Sequence, residues 1–422
     1  MKTLVKFLQV FYYVVERKKM EMNTYNPNYI KSCIAEIRLL ISDSEEHLTD
    51  ETVQERIKEY VFSDKKAQCC SHKENIALAQ RIFLSLRKEM DILHPYIDDK
   101  SISEIMVNGK DDIFIERHGK IERVPVHFDS TEDLEELIRR ISAKVRREIN
   151  ELNPIVDARL SDGSRVHAVY KNIALNGPIL TIRKFPDKVM DMEDLIENET
   201  LTPEIAVFLE KLVKAGYNCF VCGGTSSGKT TLLNVLTKAI PTGDRVVVIE
   251  DSAELQIEQV ENIVRMECRN ANVQGKGQVD MSQLVKASLR MRPDRIIVGE
   301  VRGAETEALL NALNTGHSGS LSTGHGNSIE GMLKRLEAMY MQAVDFPVEA
   351  IRSQITEGID IMIHMSRMKD GSRKITEIAE LTGIEEGKIK VNPLFRYGAG
   401  WTGNKMVKTE KLSMAGFEEV IG

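Results

Sequence analysis

A multi-domain α/β architecture is predicted by the way apolar residues alternate along this 422-residue chain. From about residue 205, apolar runs of strand length alternate with segments of helix length, which is typical of a mainly parallel sheet flanked by helices. Before that, period-two alternation predicts a mixed α/β domain, and the first part shows only helical stripes. The predicted boundaries are 1–93 for a helical module, 94–187 for the mixed α/β domain, 188–204 for a linker and 205–422 for the parallel-sheet domain.

The helical module is predicted from three apolar stripes at helical spacing. Their members are Ile30, Ile34, Ile37 and Ile41; Val53, Ile57 and Tyr60; and Ile76, Ala79, Phe83, Leu86 and Met90. Residues 1–15 are interrupted by lysines and precede a basic run where a cleavage site would stand, so they predict an amphipathic helix and not a secretory signal. A true start at Met20 or Met22 is the alternative that the sequence leaves open.

The mixed α/β domain begins with Ile113 and Ile115, whose alternation predicts a half-buried strand. Ser130-Thr-Glu-Asp133 resembles a capping box and precedes an amphipathic helix. Residues 165–170 and 179–185 are strand-like. The acidic residues 187–202 predict a linker with a short helix.

In the parallel-sheet domain, each predicted strand is followed in the sequence by polar residues that are candidates for a functional site. Strands are predicted at 217–222, 245–249 and 296–298, and helices at 231–239, 282–291 and 306–313. In open sheets of this type, ligands bind beyond the carboxyl ends of the strands. Polar residues that follow these strands are therefore the candidates for a functional site.

The segment after the first of these strands fits the phosphate-loop pattern G-x-x-x-x-G-K-[ST], between a predicted strand and a predicted helix as the motif requires. Its glycines let backbone N–H groups close around phosphate oxygens, Lys229 reaches the β- and γ-phosphates, and the Thr230 hydroxyl holds Mg²⁺. An ATP site is therefore predicted at Gly223, Gly224, Thr225, Ser226, Ser227, Gly228, Lys229, Thr230 and Thr231.

Carboxylates follow the next two predicted strands. Glu250, Asp251 and Glu254 come at the end of the second, where one can orient or deprotonate the attacking water and another can hold a hydrated metal. Glu300 ends the third, in the place of a Walker B acid, and with Thr230 and Asp251 it completes the expected metal ligands. The alternative for Glu250 to Glu254 is a solvated acidic loop.

Two Thr-Gly-His triplets end at His317 and His325 and flank a short apolar run. A lone histidine is more often a packing or surface residue. Two of them in matching triplets can instead read the γ-phosphate by hydrogen bonding and transmit its loss.

The composition restricts the class of protein. The net charge of −7 gives no electrostatic reason to expect a nucleic-acid partner. No apolar stretch approaches the ~20 residues that span a bilayer. Six cysteines without a disulfide framework are typical of a reduced cytoplasmic protein.

Taken together, these motifs closely resemble those of the type II/type IV secretion ATPase superfamily, and within it the CpaF-like ATPases of tight-adherence (Flp) pilus assembly. The resemblance rests on the phosphate loop, Ile-Glu-Asp-Ser-Ala-Glu, Arg-Ile-Ile-Val-Gly-Glu-Val-Arg and the paired Thr-Gly-His triplets. It extends to residues 153–165, 181–185, 290–294 and 371–375, and it covers residues 95 to 397. Ser226 departs from it, because related loops usually have glycine, so strain or a different turn is expected there.

The resemblance implies a RecA-like motor domain behind a PAS-like α/β domain, assembled as a hexamer that hydrolyses ATP with Mg²⁺. It implies that Glu254 is the catalytic acid, Glu300 the Walker B carboxylate, and His317 and His325 the His box. Arg165 and Arg183 would neutralise phosphate charge from the amino-terminal domain. It also implies work on membrane-embedded pilus or secretion platform proteins, from the inner face of the cytoplasmic membrane. A nucleic-acid motor and a structural ring that only binds ATP remain the alternatives.

Overall fold

The computed structural model describes residues 25–42, 48–65, 67, 70–145, 147–185, 189–269, 271 and 276–417. Contacts between residues divide the chain into two compact units, residues 1–187 and 188–422. The amphipathic helix predicted at residues 1–15 and the alternative starts at Met20 and Met22 lie outside the described residues. Among the helices of the described ranges, none combines the length and hydropathy of a membrane span.

Three helices open the first unit and share one apolar core. They are α1 (Pro27–Ser42), α2 (Asp50–Ser63) and α3 (His72–Arg87). Ile37, Ile57 and Ala79, one from each predicted stripe, are buried in this core. Ser71 and Glu74 form a capping box at the start of α3, which satisfies backbone N–H groups that have no partner inside the helix. The first two predicted stripes face this helical core, as do Ala79, Phe83 and Leu86 of the third, whereas Met90 packs in the core of the sheet that follows.

A six-stranded sheet follows in the first unit, with the strand order β3-β2-β1-β6-β5-β4 and only antiparallel pairs. Ser130 caps the helix that packs Leu134 and Leu137 against this sheet, as its sequence predicts. The elements are α4 (His94–Asp98), β1 (Ile102–Asn108), β2 (Ile113–Arg117), β3 (Lys120–Arg123), α5 (Thr131–Lys144), β4 (Ile155–Arg159), β5 (Arg165–Val169) and β6 (Ile179–Arg183).

The second unit is built on a nine-stranded sheet with the order β15-β14-β13-β12-β7-β11-β10-β8-β9. The six strands from β12 to β9 are parallel to their neighbours. The strands are β7 (Cys219–Gly223), β8 (Val246–Glu250), β9 (Ile263–Glu267), β10 (Arg295–Val301), β11 (Leu321–His325), β12 (Ile361–Arg367), β13 (Arg373–Glu385), β14 (Lys388–Arg396) and β15 (Gly400–Trp401).

The prediction of a mainly parallel sheet agrees with these six strands, but it missed the antiparallel extension formed by β13, β14 and β15. The turn between β12 and β13 closes with the N–H of Gly371 donating to the carbonyl of Met368, and Gly371 has φ +88°. Such a turn is too short for the crossover that a parallel neighbour needs. The hairpin signals lie at Asp370-Gly371 and Glu386-Gly387, after the last strand that we predicted.

Helices cover both faces of the parallel strands. Val221 packs in the core formed with α6, α7 and α8, whereas Phe220 and Cys222 pack in the core formed with α9 to α12. Burial on both faces explains why these strands are continuous apolar runs. The helices are α6 (Met192–Glu197), α7 (Pro203–Lys214), α8 (Lys229–Thr237), α9 (Met281–Ser288), α10 (Glu305–Leu313), α11 (Ile329–Ala343), α12 (Val348–Gly358) and α13 (Glu410–Met414).

The direction of the parallel strands distinguishes two edges of this sheet. The carboxyl edge is where the parallel strands end, and the amino edge is where they begin. At the amino edge lie residues 405–417, which we call the C-terminal strap. Glu380 is fully buried and accepts the backbone N–H groups of Val407 at 2.8 Å and Lys408 at 2.6 Å. Asp360 accepts the N–H of Asn218 at 2.9 Å and the ammonium of Lys411 at 2.6 Å, so two buried carboxylates hold the strap.

Candidate functional site

The phosphate loop joins β7 to α8 at the carboxyl edge, as the sequence predicts. Gly228 has φ +96° and Ser226 has φ +57°, so both adopt left-handed backbone conformations. A Cβ added to Gly223 would lie 2.3 Å from the carbonyl oxygen of Met365, which explains why only glycine fits there. The Ser227 hydroxyl is buried with no hydrogen-bond partner among the described residues. The loop thus combines a fixed backbone with an unsatisfied polar group.

Lys229 is the first residue of α8 and is 7% exposed. Its ammonium donates to the carbonyl oxygen of Gly224 at 3.0 Å and lies 3.3 Å from Nδ1 of His325. Burial lowers the pKa of Lys229, and the charge of Glu300 opposes that shift. The lysine is therefore held inside the loop by neutral groups, which an anionic phosphate would outcompete.

His325 lies between Lys229 and the carboxylate that ends β10. β11 is parallel to β7 with His325 opposite Gly223, and this register brings the imidazole to the loop. Its Nε2 lies 2.8 Å from Oε1 of Glu300, although that oxygen lacks the alignment of a hydrogen bond. Burial lowers the pKa of His325 despite the nearby Glu300, and the charges of Lys229 and Arg302 add to the lowering. The net effect favours the neutral imidazole.

Glu300 also pairs with Arg302, a residue that sequence reasoning did not select. Arg302 donates Nε and Nη2 to Oε2 of Glu300 at 3.0 and 2.7 Å. Its Nη1 lies 3.5 Å from Oδ2 of Asp251. One guanidinium therefore sits between the two carboxylates that were expected to hold metal. The sequence did contain an indication of this pair, since an arginine stands two residues after Glu300.

Glu250 has a structural role at the same edge. Its Oε1 accepts the backbone N–H groups of both Glu254 and Leu255, at 2.8 and 3.0 Å. Burial raises the pKa of Glu250, and the two backbone N–H groups oppose that shift. A Cβ on Gly299 would lie 3.1 Å from Cγ of Glu250, so this glycine makes room for the side chain. Glu250 thus fixes the turn that carries Glu254, and the segment is more than a solvated acidic loop.

His317 is not brought to the phosphate loop of its own chain. It precedes β11 at the amino edge, where its Nδ1 lies 3.0 Å from the carbonyl oxygen of Ala312 and its own carbonyl accepts the Ser320 hydroxyl. His325 ends the same strand at the carboxyl edge. The expectation that both histidines read one γ-phosphate is corrected accordingly, because a five-residue strand separates them.

Arg165 and Arg183 lie in the first unit, directly opposite each other on β5 and β6. Arg159 on β4 is opposite Arg165 from the other side, so three arginines form a row across three adjacent strands. Glu104 on β1 is opposite Arg183. Like charges at directly opposed positions are destabilising, and Glu104 brings a carboxylate to one end of the row. Arg159 was missed because register cannot be read from one sequence.

Thr225, Thr230 and Thr231 complete the predicted loop. Thr225 is exposed at its apex, and Thr230 and Thr231 are partly buried in the first turn of α8. Hydroxyls in the first turn of a helix lie where the helix dipole favours anions.

Comparisons with known proteins agree with this architecture. A family model described as "Type II/IV secretion system protein" matches residues 87–384. The conjugal transfer protein TrbB of Rhizobium radiobacter is 32% identical over 68% of this chain and 86% of its own length. The type IV secretion system protein PtlH of Bordetella pertussis is 30% identical over 70% of this chain and 95% of its own length. A crystal structure of the pilus retraction motor PilT with bound ADP is similar in fold, with 20% identity and a TM-score of 0.50 over 70% of this chain and 83% of that one.

Proposed function

Because the chain belongs to the type II/IV secretion system protein family and is an ATPase of that family, we propose that it is the hexameric motor of a tight-adherence (Flp) pilus or of a related secretion machine. The observation that carries this proposal is the connection from Lys229 through His325 to Glu300. It links the group that would touch the γ-phosphate to the carboxylate at the end of a neighbouring strand. A site of this kind can both bind ATP and respond to its hydrolysis.

In the proposed reaction, the phosphates replace the Gly224 carbonyl as the partner of Lys229, and loop N–H groups bind their oxygens. Glu254, on the turn fixed by Glu250, orients the attacking water and accepts its proton. His325 hydrogen-bonds the γ-phosphate and senses its departure through Glu300. Charge stabilisation and positioning supply most of the rate enhancement in phosphoryl transfer.

The residues near the loop also fit Mg²⁺. Arg302 already brings a positive charge between Asp251 and Glu300, so these carboxylates are placed to share a cation. With the Thr230 hydroxyl, they supply the hard oxygen ligands that Mg²⁺ prefers, directly or through water. Bound there, the ion would neutralise charge on the β- and γ-phosphates.

The arginine row of the first unit is proposed to neutralise phosphate charge as well. Arg165 and Arg183 carry that role, and Arg159 joins them because it is opposite Arg165. An arginine that reaches the transferred phosphoryl group is worth about 10³ to 10⁵ in rate. By binding the phosphates, these arginines would couple hydrolysis to movement of the amino-terminal unit. We propose that this movement acts on integral membrane platform proteins, with the motor at the inner face of the cytoplasmic membrane.

The test is ATP hydrolysis by purified protein with Mg²⁺, comparing wild type with Lys229→Ala. The matched control is Lys238→Ala, because Lys238 is an exposed lysine just beyond the end of the same helix. We expect Lys229→Ala to lose at least about 100-fold in kcat/KM and Lys238→Ala to match wild type. Equal hydrolysis by all three proteins would overturn the motor proposal.

Two further measurements separate the alternatives. Hydrolysis stimulated by DNA, with a steep dependence on salt, would indicate a nucleic-acid motor. A Glu300→Gln variant that binds nucleotide and still supports pilus assembly or secretion would indicate a structural ring. We expect neither result, because the net charge is −7 and Glu300 is connected to the loop through His325.

A further inference from the structure

The hairpin formed by β12 and β13 contacts the phosphate loop from outside its motif. Arg373, the first residue of β13, donates its Nε to the carbonyl oxygen of Ser226 at 3.1 Å. The Arg373 side chain also covers Gly228, since a Cβ built there would lie 3.3 Å from Cδ of Arg373. Met365 on β12 covers Gly228 with its side chain and Gly223 with its backbone carbonyl. The hairpin is thus an outer wall of the loop.

Ser226 is the residue of the loop that needs such support. Its φ of +57° makes it the one non-glycine residue of the phosphate loop in the left-handed region. A residue with a Cβ is disfavoured there, so the serine peptide tends to rotate out of this conformation. Rotation would move its carbonyl oxygen away from Arg373 and re-aim the next N–H in the loop.

We propose that Arg373 is a positioning residue for nucleotide: its guanidinium holds the Ser226 peptide in the left-handed turn that aims the loop N–H groups at the phosphates. The inference rests on the proposed role of this loop in holding ATP. The hydrogen bond has a charged donor, which makes it stronger than a bond between neutral groups. It spans 147 residues of sequence, so the phosphate loop motif alone does not contain it.

The consequence is a dependence between two positions. In a chain with glycine at 226, the left-handed turn is inherently accessible, and the arginine becomes dispensable. With serine at 226, loss of the arginine lets the Ser226 peptide rotate out of the left-handed conformation. Nucleotide affinity should then fall by about tenfold, the size expected for one uncompensated left-handed non-glycine residue.

The experiment is a double-mutant cycle on the full chain with Arg373→Ala, Ser226→Gly and the double variant. A fluorescent ATP analogue with Mg²⁺ gives Kd, and steady-state hydrolysis gives kcat and KM. We expect Arg373→Ala to raise Kd and KM about tenfold in the wild-type background, but by no more than about threefold when it is added to Ser226→Gly. Arg373→Lys keeps a donor and a charge, and we expect it to lie between wild type and Arg373→Ala.

Three results would overturn the proposal. Arg373→Ala could bind the analogue as tightly as wild type. The double variant could stay as weak as Arg373→Ala, which would mean that the arginine touches the nucleotide itself. Thermal unfolding without nucleotide could show that Arg373→Ala and Arg373→Lys both melt early and that Ser226→Gly repairs neither, which would indicate a general folding role. Failure of the ATP site itself is distinguishable, because wild type would then bind no better than Lys229→Ala.

Discussion

The two edges of the nine-stranded sheet use carboxylates in opposite ways. At the amino edge, Asp360 and Glu380 are buried, and each accepts several short hydrogen bonds from the backbone or from lysines of the C-terminal strap. At the carboxyl edge, Glu300 and His325 are partly exposed and meet without hydrogen-bond alignment. Asp360 and Glu380 therefore have satisfied carboxylates, whereas Glu300 and His325 can change partners.

This difference separates carboxylates that stabilise the fold from carboxylates that can take part in a reaction. A fully satisfied buried carboxylate has nothing to gain from a ligand, and removing it leaves donors unpaired. A partly satisfied cluster gains contacts when an anion and its cation arrive. Lys229, His325 and Glu300 form such a cluster, so the edge with the weaker contacts is the one suited to nucleotide.

The largest expected effect is that of Gly223→Ala. It tests whether only the side chains at the carboxyl edge can rearrange, or the backbone as well. In Gly223→Ala, the new Cβ would meet the Met365 carbonyl oxygen at 2.3 Å and the Ser227 hydroxyl at 2.6 Å, so backbone must move. We expect a loss of about 3 kcal/mol in the free energy of unfolding and at least about 100-fold in ATP hydrolysis. Urea unfolding and steady-state kinetics measure the two effects.

Gly224→Ala is the matched control, because nothing lies within 4 Å of a Cβ at that position. It should stay within about 0.5 kcal/mol of wild type. If both glycine variants behave alike, the backbone of this edge is as adaptable as its side chains, and the comparison between the edges weakens.

The next effect concerns the amino edge. Glu380 accepts from Val407, Lys408 and the side-chain amide of Asn392, so its acceptors face only donors. In Glu380→Gln, the new NH₂ group must point at one of these donors. We expect a loss of about 2 kcal/mol in the free energy of unfolding. Trp401, the one tryptophan of the sequence, packs against Phe208 and Phe395 in this unit, so its fluorescence reports the transition.

Glu385→Gln on the same strand is the control. Its ion pair with Lys390 is exposed, at 3.2 Å, and such pairs contribute little. We expect a change near zero. A Glu380→Gln variant as stable as the control would show that the strap is not held by its carboxylate.

The sequence predicted the core of this fold because burial leaves a periodic pattern. β7, β8 and β10 are continuous apolar runs, and the phosphate loop is recognisable from its own residues. Since parallel strands end at one edge, the closeness of Lys229, His325 and Glu300 follows from the strand order. The antiparallel strands after β12 were missed because Asp370-Gly371 and Glu386-Gly387 were not recognised as hairpin turns, although residues 371–375 are part of the resemblance.

The pairing of side chains could not be predicted from any pattern in the sequence. Arg302, Arg373 and the structural role of Glu250 each depend on a rotamer and a partner, and partners up to 147 residues apart leave no spacing to read. The two Thr-Gly-His triplets look equivalent in sequence, yet His317 and His325 lie at opposite edges because a strand runs between them. Ser226 was different, because related loops usually have glycine there and a serine tolerates positive φ poorly. Strain or a different turn was expected at that position, and its φ of +57° agrees.

The smallest expected effect is a pH dependence at Glu250, the one buried carboxylate of the carboxyl edge that resembles those of the amino edge. Burial raises its pKa above the ordinary value of 4.5, so the folded protein binds this proton more tightly than the unfolded chain does. Stability from this group is therefore complete at low pH and is lost as pH rises through the raised pKa. Glutamine does not titrate, and its single Oε1 can still accept from both Glu254 and Leu255.

Relative to wild type, Glu250→Gln should therefore gain stability as pH rises through the raised pKa of Glu250. Urea unfolding followed through Trp401 at several pH values measures this difference. Glu250→Ala should instead be less stable than wild type at every pH, because both N–H groups lose their acceptor. A difference that is flat or falls with pH for Glu250→Gln would mean that Glu250 is stabilised as a charged group. It would then belong with the exchangeable cluster of Glu300, and the carboxyl edge would have no fixed carboxylate to hold the turn that carries Glu254.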